Sequence, residues 1–214
     1  MFDIVNFKKN LQSLKSKIKK KNPIFFVSTN FFNLGLSESE MINLSEVLYG
    51  ELNRFKNSTI LVPTASLNIL ETNEIFDISR TKSSRMGYFS EYIRKKKLSK
   101  RSNHPIWSFS AIGKYSKQIL ENVPKNSYGQ NSVFDRLLNY NTYYICLGDL
   151  KNCISPIHYV EQMVGVPYRF FKEFEVNIKK KNKIKKETIY FYAMLENSKI
   201  QKDYNHKSLK ILIN

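Results

Sequence analysis

The feature that most constrains the fold is a set of short, largely apolar runs that are each bounded by a proline or a glycine. Runs of this length and composition are typical of strands that are buried on both faces of a sheet. Each run therefore predicts one buried strand. The three runs are residues 24–27 after Pro23, 59–62 before Pro63 and 143–147 before Gly148.

The segments between these runs carry apolar residues at spacings of three and four, which predicts amphipathic helices. The first helix covers residues 4–18 with a lysine-rich outer face, and the second starts at 37–40 and continues to Leu52. Strands separated by helices predict a layered α/β domain, and a length of 214 residues favours one domain over 1–214. Further predicted elements are helices at 87–98, 111–121, 133–138 and from Ile157, a lysine-rich break at 179–186, and strands at 189–194 and 209–213.

The chain is strongly basic, with 35 Lys and Arg against 18 Asp and Glu and a net charge of +17. Such an excess suits nucleic acid, an anionic membrane surface or phosphate-bearing ligands. However, Lys, Asn and Ile are abundant together, as in AT-rich genomes, and the aromatic residues do not alternate with the lysine runs as a single-strand binder requires. We therefore interpret the lysines as solvated surface and expect no nucleic-acid partner.

No apolar run is long enough to span a bilayer, and the N-terminus lacks the pattern of a signal peptide. We therefore expect a cytoplasmic protein without a membrane span. Two cysteines, Cys146 and Cys153, do not make a disulfide framework, and Cys146 is predicted to be an inert core residue. The sequence gives no ligand spacing for a metal site and no glycine-rich nucleotide motif, and the oligomeric state stays open.

The strongest local signal for chemistry is the segment 155–161, which reads Ser-Pro-Ile-His-Tyr-Val-Glu. Ser155 and Pro156 predict a helix start, which places His158 and Glu161 on one helix face. A carboxylate at that spacing can hold an imidazole in one tautomer and stabilise its protonated form, as a general base requires. The alternative is a surface histidine with a glutamate beside it by chance.

Several segments in order resemble the aminoglycoside 3-N-acetyltransferase family. Single pieces are weak, but the ordered set covers residues 24–174, while 175–214 match nothing in the pattern. The segments are Val27-Ser28-Thr29 with Leu34-Gly35, Leu61-Val62-Pro63-Thr64, Phe76-Asp77 with Thr81, Ser84 and Met86-Gly87, Glu91 to Arg94, Arg101 to Pro105 with Ser108 and Ala111 to Gly113, Tyr128-Gly129 with Ser132 and Asp135 to Leu137, Leu147-Gly148, Ser155 to Glu161, and Pro167-Tyr168-Arg169.

The resemblance implies an α/β/α layered domain around a mixed β-sheet, and an enzyme that transfers an acetyl group from acetyl-CoA to an amine, often on an aminosugar. By resemblance, His158 is the catalytic base and Glu161 is its orienting carboxylate. The resemblance also assigns the other predicted site residues: Thr29, Met86, Arg101, Ser102 and Ser108 to the coenzyme, and His104 and Asp77 to the substrate.

The chain departs from the family pattern in ways that bear on the acceptor. Ser28 stands where many members have histidine, Ser37 to Ser39 replace a usual Gly-Gly, and Trp107 replaces a second histidine. A net charge of +17 opposes binding of a polycationic aminoglycoside at long range, so a nucleotide-linked aminosugar suits the chain better. The alternatives are an aminoglycoside acetyltransferase proper, or a non-catalytic basic binding module on the same fold.

Overall fold

A five-stranded mixed sheet forms the centre of the fold in the computed structural model, which describes residues 2–148, 155–181 and 183–195. The strands lie in the order β4-β5-β2-β1-β6, with β1 parallel to β2 and β6, and β5 antiparallel to β2 and β4. This confirms the predicted mixed sheet. The strands are β1 (Ile24–Thr29), β2 (Thr59–Pro63), β4 (Lys100–Arg101), β5 (Phe109–Gly113) and β6 (Thr142–Leu147).

A second sheet has three strands in the order β3-β7-β8. Strands β7 and β8 form a long antiparallel hairpin that pairs along its whole length, from Arg169 opposite Met194 to Lys180 opposite Lys183. The short β3 pairs with the far end of β7, where Asp77 lies opposite Lys179. The strands are β3 (Phe76–Asp77), β7 (Arg169–Lys180) and β8 (Lys183–Met194).

Helices cover both faces of the central sheet, as the layered prediction requires. Alternate side chains of β1 point to opposite faces, so Phe25 packs with α1, α2 and α4, and Phe26 packs with α5 and α6. A capping box between Ser37 and Glu40 starts α2, which confirms the helix start predicted there. The helices are α1 (Ile4–Lys17), α2 (Glu38–Asn53), α3 (Ile69–Thr72), α4 (Tyr88–Lys95), α5 (Ser116–Leu120), α6 (Val133–Leu137) and α7 (Ile157–Val164), with a 3-10 turn at Phe31–Leu34.

Two predicted elements are wrong. The predicted helix 111–121 is divided, because Phe109–Gly113 pairs with β2 as an antiparallel strand before α5 begins. Gly113 permits this pairing, since a Cβ at its position would lie 2.1 Å from the Ser58 carbonyl oxygen. The predicted lysine-rich break at 179–186 belongs almost entirely to β7 and β8. Pairing between the two strands therefore outweighs a lysine-rich composition that is typical of loops. The strand predicted at 209–213 lies outside the described residues.

Within residues 2–148, 155–181 and 183–195, no helix combines the length and hydropathy needed to cross a bilayer. In the same part of the chain, no group of three or more His, Cys, Asp or Glu side chains could hold a metal ion. Cys146 is half-buried in β6 and disulfide-bonded, so the prediction of an inert core thiol is wrong. Cys153 lies outside the described residues.

Candidate active site

The candidate base lies at the start of α7, the helix that follows β6 in the chain. Strands β1 and β6 are parallel, so their carboxyl ends meet at one edge of the sheet, where Thr29 is opposite Leu147. The Tyr144 side chain interacts with the side chains of Ser28 and Ser155, which links β1 and β6 to the residue just before Pro156. The helix has Pro156 as its first flanking residue and ends at Gly165 in the left-handed conformation. Ligand sites commonly lie at such strand ends in α/β folds.

His158 and Glu161 form the contact that their spacing predicts. His158 Nδ1 lies 2.9 Å from Glu161 Oε2 on the first turn of α7. A carboxylate can only accept, so a hydrogen bond to Glu161 requires the proton on Nδ1 and leaves the Nε2 lone pair free, whereas Arg169 Nη2, 3.0 Å from the same nitrogen, can only donate. Nε2 has no hydrogen-bond partner in residues 2–148, 155–181 and 183–195. With the proton on Nδ1, the ring would be oriented by one nitrogen and could accept a proton with the other.

Glu161 is the most heavily engaged group of the site. Its residue is only 6% exposed, and its Oε1 accepts a hydrogen bond from the Tyr168 hydroxyl at 3.0 Å. Its Oε2 lies 2.8 Å from Nε of Arg169, an ion pair in which the N–H does not point along the contact. Charged carboxylates are buried at low cost only when they are paired in this way. Tyr168 and Arg169 therefore hold the carboxylate that contacts His158.

An aromatic wall surrounds the imidazole of His158. The ring of Tyr128 lies 5.1 Å from it between centroids, and the ring of Trp107 lies 6.4 Å away, nearly perpendicular. Burial lowers the pKa of His158, the bond to Glu161 raises it, and the charge of Arg169 lowers it. The net direction is downward, which favours the neutral ring.

His104, the other histidine predicted for the site, differs from His158 in its hydrogen bonds. Its Nδ1 accepts the backbone N–H of Trp107 at 2.9 Å, and its Nε2 lies 3.1 Å from the carbonyl oxygen of Lys125. The residue is 4% exposed, and burial lowers its pKa to about 4. Both nitrogens therefore bond within the protein, and a direct contact of His104 with substrate stays a prediction.

Arg101 joins loops instead of presenting its guanidinium at the surface of the site. Its Nη2 donates to the Thr64 carbonyl at 2.7 Å and to Ser66 Oγ at 2.9 Å. Its Nη1 also donates to the Thr81 carbonyl, and its Nε donates to Ser108 Oγ at 3.0 Å. These four bonds tie β4 to the segments that follow β2 and β3. Direct binding of the coenzyme by Arg101 stays a prediction.

The remaining residues predicted for the coenzyme differ in their availability. Ser102 Oγ accepts the N–H of Phe109 and Ser108 Oγ donates to the Thr64 carbonyl, and both serines are buried. Thr29 Oγ1 is buried, and no residue in the described parts of the chain bonds to it. Met86 is half-buried and immediately precedes Gly87.

Gly87 allows the backbone after Met86 to approach the end of β1. A Cβ at Gly87 would lie 2.3 Å from the Thr29 carbonyl oxygen, and its φ of +85° also favours glycine. This close approach brings Met86 and Thr29 to the same edge of the central sheet. A buried Thr29 hydroxyl without a hydrogen-bond partner in the described residues, next to Gly87, fits a site for a polar ligand.

Asp77 is not brought together with His158. It lies opposite Lys179 near the far end of β7, ten residues from Arg169, which corresponds to about 30 Å along the strand. There it forms an ion pair with Lys179 and lines a separate cavity of about 660 Å³. Hydrogen bonds from Ser79 are the main cause that lowers the pKa of Asp77 to about 2. Its assignment to the substrate stays a prediction.

Sequence reasoning missed the two residues that hold Glu161 from outside its helix. Tyr168 and Arg169 follow α7 directly, within the Pro-Tyr-Arg segment of the family resemblance, but no role was assigned to them there. Their position in that segment is the signal that could have identified them. The aromatic neighbours Trp107 and Tyr128 were likewise recognised only as pattern residues.

Comparisons with known proteins bear on the family and the fold of the chain. The family model for aminoglycoside 3-N-acetyltransferases matches residues 54–211, more than half of the chain, and extends well beyond residue 174. A comparison with curated protein sequences gives no significant match.

Solved structures share the fold at low sequence identity. The YokD protein from Bacillus subtilis is 21% identical with a TM-score of 0.71, over 92% of this chain and 83% of that chain. AAC-IIIb, solved as a binary complex with CoASH, is 16% identical with a TM-score of 0.79, over 96% and 84%. AAC-VIa bound to sisomicin is 16% identical with a TM-score of 0.73, over 88% and 78%.

Proposed function

The chain belongs to the aminoglycoside 3-N-acetyltransferase family of acyltransferases, and from this premise we propose that it acetylates an amine with acetyl-CoA and uses His158 as the general base. The observation that carries the proposal is the contact of His158 Nδ1 with the buried Glu161 carboxylate at 2.9 Å. This contact leaves Nε2 as the proton acceptor. A non-catalytic binding module has no need for a buried carboxylate that orients an imidazole.

The amine attacks in its neutral form, since an ammonium ion has no lone pair, and a proton acceptor is required because the nitrogen becomes positively charged as it bonds to the thioester carbon. His158 Nε2 takes a proton from the amine nitrogen as that nitrogen forms its bond to the thioester carbonyl carbon. Glu161 stabilises the imidazolium through Nδ1–H. When the carbon–sulfur bond breaks, the imidazolium gives the proton to the departing thiolate. His158 is neutral again, and the products are the N-acetyl compound and CoA.

The donor side of the proposal is supported by Thr29 and by the family. AAC-IIIb is a family structure with CoASH bound. In this chain, the buried Thr29 Oγ1 at the end of β1 is an unpaired polar group that a pantetheine amide could satisfy. Thr29 and the backbone around Gly87 are therefore the residues that would hold the thioester arm.

For the acceptor, we propose an aminosugar that also carries phosphate, such as a nucleotide-linked aminosugar. Polycationic aminoglycosides need exposed carboxylates, but Glu161 is engaged by His158, Tyr168 and Arg169. The net charge of +17 repels a polycation and attracts a phosphate. AAC-VIa binds sisomicin, so the aminoglycoside class is the alternative that the experiment must include.

The test is a parallel acetylation assay. The protein is incubated with acetyl-CoA and either nucleotide-linked aminosugars or sisomicin and gentamicin, and release of free thiol is followed together with the mass of the acetylated product. We expect turnover with at least one nucleotide-linked aminosugar and a higher kcat/KM for it than for either aminoglycoside. A higher kcat/KM for an aminoglycoside would reject the phosphate-bearing acceptor, and no transfer to any amine would reject the enzyme.

A further inference from the structure

Arg169 is the one cation in direct contact with both members of the His158–Glu161 pair among the residues that the structure describes. It is the first residue of β7, and its side chain is 6% exposed. Its Nη1 donates to the Tyr192 carbonyl on β8 at 3.0 Å, which anchors the guanidinium to the hairpin. Its Nε lies 2.8 Å from Glu161 Oε2, and its Nη2 lies 3.0 Å from His158 Nδ1.

The nitrogen Nδ1 of His158 thus faces two groups with opposite requirements. Glu161 can only accept a proton in a hydrogen bond, and Arg169 can only donate one. If Nδ1 donates to Glu161, then Nε2 is the open acceptor. If Nδ1 accepts from Arg169, the proton sits on Nε2 and the ring cannot act as a base there. The balance between the Glu161 contact at 2.9 Å and the Arg169 contact at 3.0 Å therefore decides the tautomer of His158.

We propose that Arg169 is a positioning residue for the base: its charge holds the Glu161 carboxylate beside Nδ1 of His158 and opposes a lasting positive charge on the ring. The proposal rests on the proposed function, because it gives Arg169 a part in the same proton transfer. The proton that moves from the amine to Nε2 creates an imidazolium whose Nδ1–H lies beside the guanidinium. Repulsion between these cations favours return of the proton to the departing thiolate sulfur, which restores the neutral ring.

The other side chains that contact the His158 ring are uncharged, which leaves Glu161 and Arg169 to set its protonation. Tyr128 contacts it from the loop before α6, and burial raises the pKa of that phenol, so Tyr128 stays neutral. Trp107 does not titrate. Glu161 and Arg169 are thus the charged groups against His158 within the described chain, one favouring and one opposing its protonation.

Titration of the three histidines by NMR tests the proposal without any substrate. His158→Ala identifies the His158 resonance, and the nitrogen shifts of the neutral ring report its tautomer. We expect the Nδ1–H tautomer in the unmodified protein. Arg169→Gln removes the charge and should raise the pKa of His158 by about 1, because a like charge within about 4–6 Å disfavours protonation.

Two further variants separate positioning from general support of the fold. Glu161→Gln should lower the pKa of His158, and Glu161→Gln combined with Arg169→Gln should return it toward the value of the unmodified protein. Arg169→Lys keeps the charge but loses the fork, so it should leave the pKa nearly unchanged while lowering kcat. His104, held by Lys125 and Trp107, should titrate alike in all variants and serves as the internal control.

An unchanged His158 titration in Arg169→Gln, or an Nε2–H ring in the unmodified protein, would overturn the proposal. If Arg169→Gln does not fold, the same question is decided by the tautomer of the unmodified protein and by the kcat of Arg169→Lys, which the proposal expects to fall. Acetyl transfer that survives in His158→Ala would overturn the proposed function instead, whatever the titration gives. The two failures are therefore distinguishable.

Discussion

The loop that carries His104 and the first turn of α7 each present an imidazole, but they use it in opposite ways. In the loop, both ring nitrogens are engaged, one by the N–H of Trp107 and one by the carbonyl of Lys125. On α7, Glu161 engages one nitrogen of His158, and 24% of the His158 side chain is exposed. An imidazole with both nitrogens in hydrogen bonds within the protein stabilises a loop. An imidazole with one nitrogen outside such bonds can accept a proton from a substrate.

Arg101 and Arg169 repeat this contrast one step away from the histidines. The guanidinium of Arg101 donates hydrogen bonds to carbonyls and hydroxyls of neighbouring loops, so it stabilises the packing of these loops. Arg169 faces the carboxylate and the imidazole of the site. Bonding partners, and not residue type or closeness to a motif, therefore separate the scaffold from the site.

The largest expected effect is loss of catalysis on removal of His158. His158→Ala should lower kcat by about 10²–10⁴-fold, which is the usual contribution of general-base catalysis. His104→Gln is the matched control, and its kcat should change far less because no open nitrogen is lost. Thiol release at saturating acetyl-CoA measures both.

A larger loss of kcat in His104→Gln than in His158→Ala would contradict the assigned roles of the two histidines. If His104→Gln lost more kcat than His158→Ala in folded protein, the base would have to be assigned to the loop. Binding of CoA to His158→Ala, measured by calorimetry, shows that the variant still forms the donor site.

The second effect is the pH dependence of stability that His104 contributes. Its pKa is about 4 in the folded protein and about 6.5 when unfolded, so the unfolded chain binds the proton first as the pH falls. The stabilisation is present above pH 6.5, and about 3 kcal/mol of it is lost between pH 6.5 and 4. Urea unfolding at pH 7.5 and 4.5 measures this loss.

The variant His104→Gln provides the reference for that measurement. Carboxylates with lowered pKa values, such as Glu91 and Asp77, lose their stabilising charge at still lower pH and are present in both proteins. The difference between the proteins therefore isolates His104. Equal losses of stability in the two proteins would show that the ring is not buried in its neutral form.

The sequence predicts the local part of the site well. His158 and Glu161 are three residues apart in one helix, so helical geometry alone brings their side chains together. The three apolar runs predict the parallel core strands for a similar reason, since their identity depends on composition within a few residues. Both inferences needed no knowledge of tertiary structure.

The parts that sequence reasoning missed depend on contacts between distant segments. Arg169 reaches His158 only because β7 starts beside α7 and β8 anchors its guanidinium. Asp77 is remote because the register of β3 puts it opposite Lys179, about a hundred positions later in the chain. Phe109–Gly113 became a strand because β2 offered it a partner. No periodicity within a short window contains this information.

The third effect tests whether Arg101 belongs to the scaffold. Arg101→Lys keeps the charge but loses the planar fork that reaches Thr64, Ser66 and Thr81, so it should reduce the free energy of unfolding by about 2 kcal/mol. Arg54→Lys is the control, because Arg54 is 55% exposed and its ion pair with Glu51 contributes about 0.5 kcal/mol or less. Chemical denaturation at pH 7.5 compares them.

The affinity of Arg101→Lys for CoA tests whether Arg101 also binds the coenzyme. If Arg101 acts only as scaffold, Arg101→Lys should bind CoA with an affinity within about threefold of the unmodified protein at a temperature where both are folded, because about 0.6 kcal/mol corresponds to that factor. A much larger loss of CoA affinity with unchanged stability would move Arg101 to the coenzyme site.

The smallest effect concerns Tyr168, which gives Glu161 its third contact. Tyr168→Phe removes the hydroxyl that donates to Oε1 at 3.0 Å but keeps the aromatic ring. A hydrogen bond to a charged carboxylate contributes about 1.5 kcal/mol, so kcat should fall about tenfold, short of the loss in His158→Ala. Because the hydroxyl acts through Glu161, the variant should have no further effect in a Glu161→Gln background. Rates measured for the two single variants and the double variant decide this, and equal losses in both backgrounds would show that Tyr168 acts on something other than the carboxylate that orients His158.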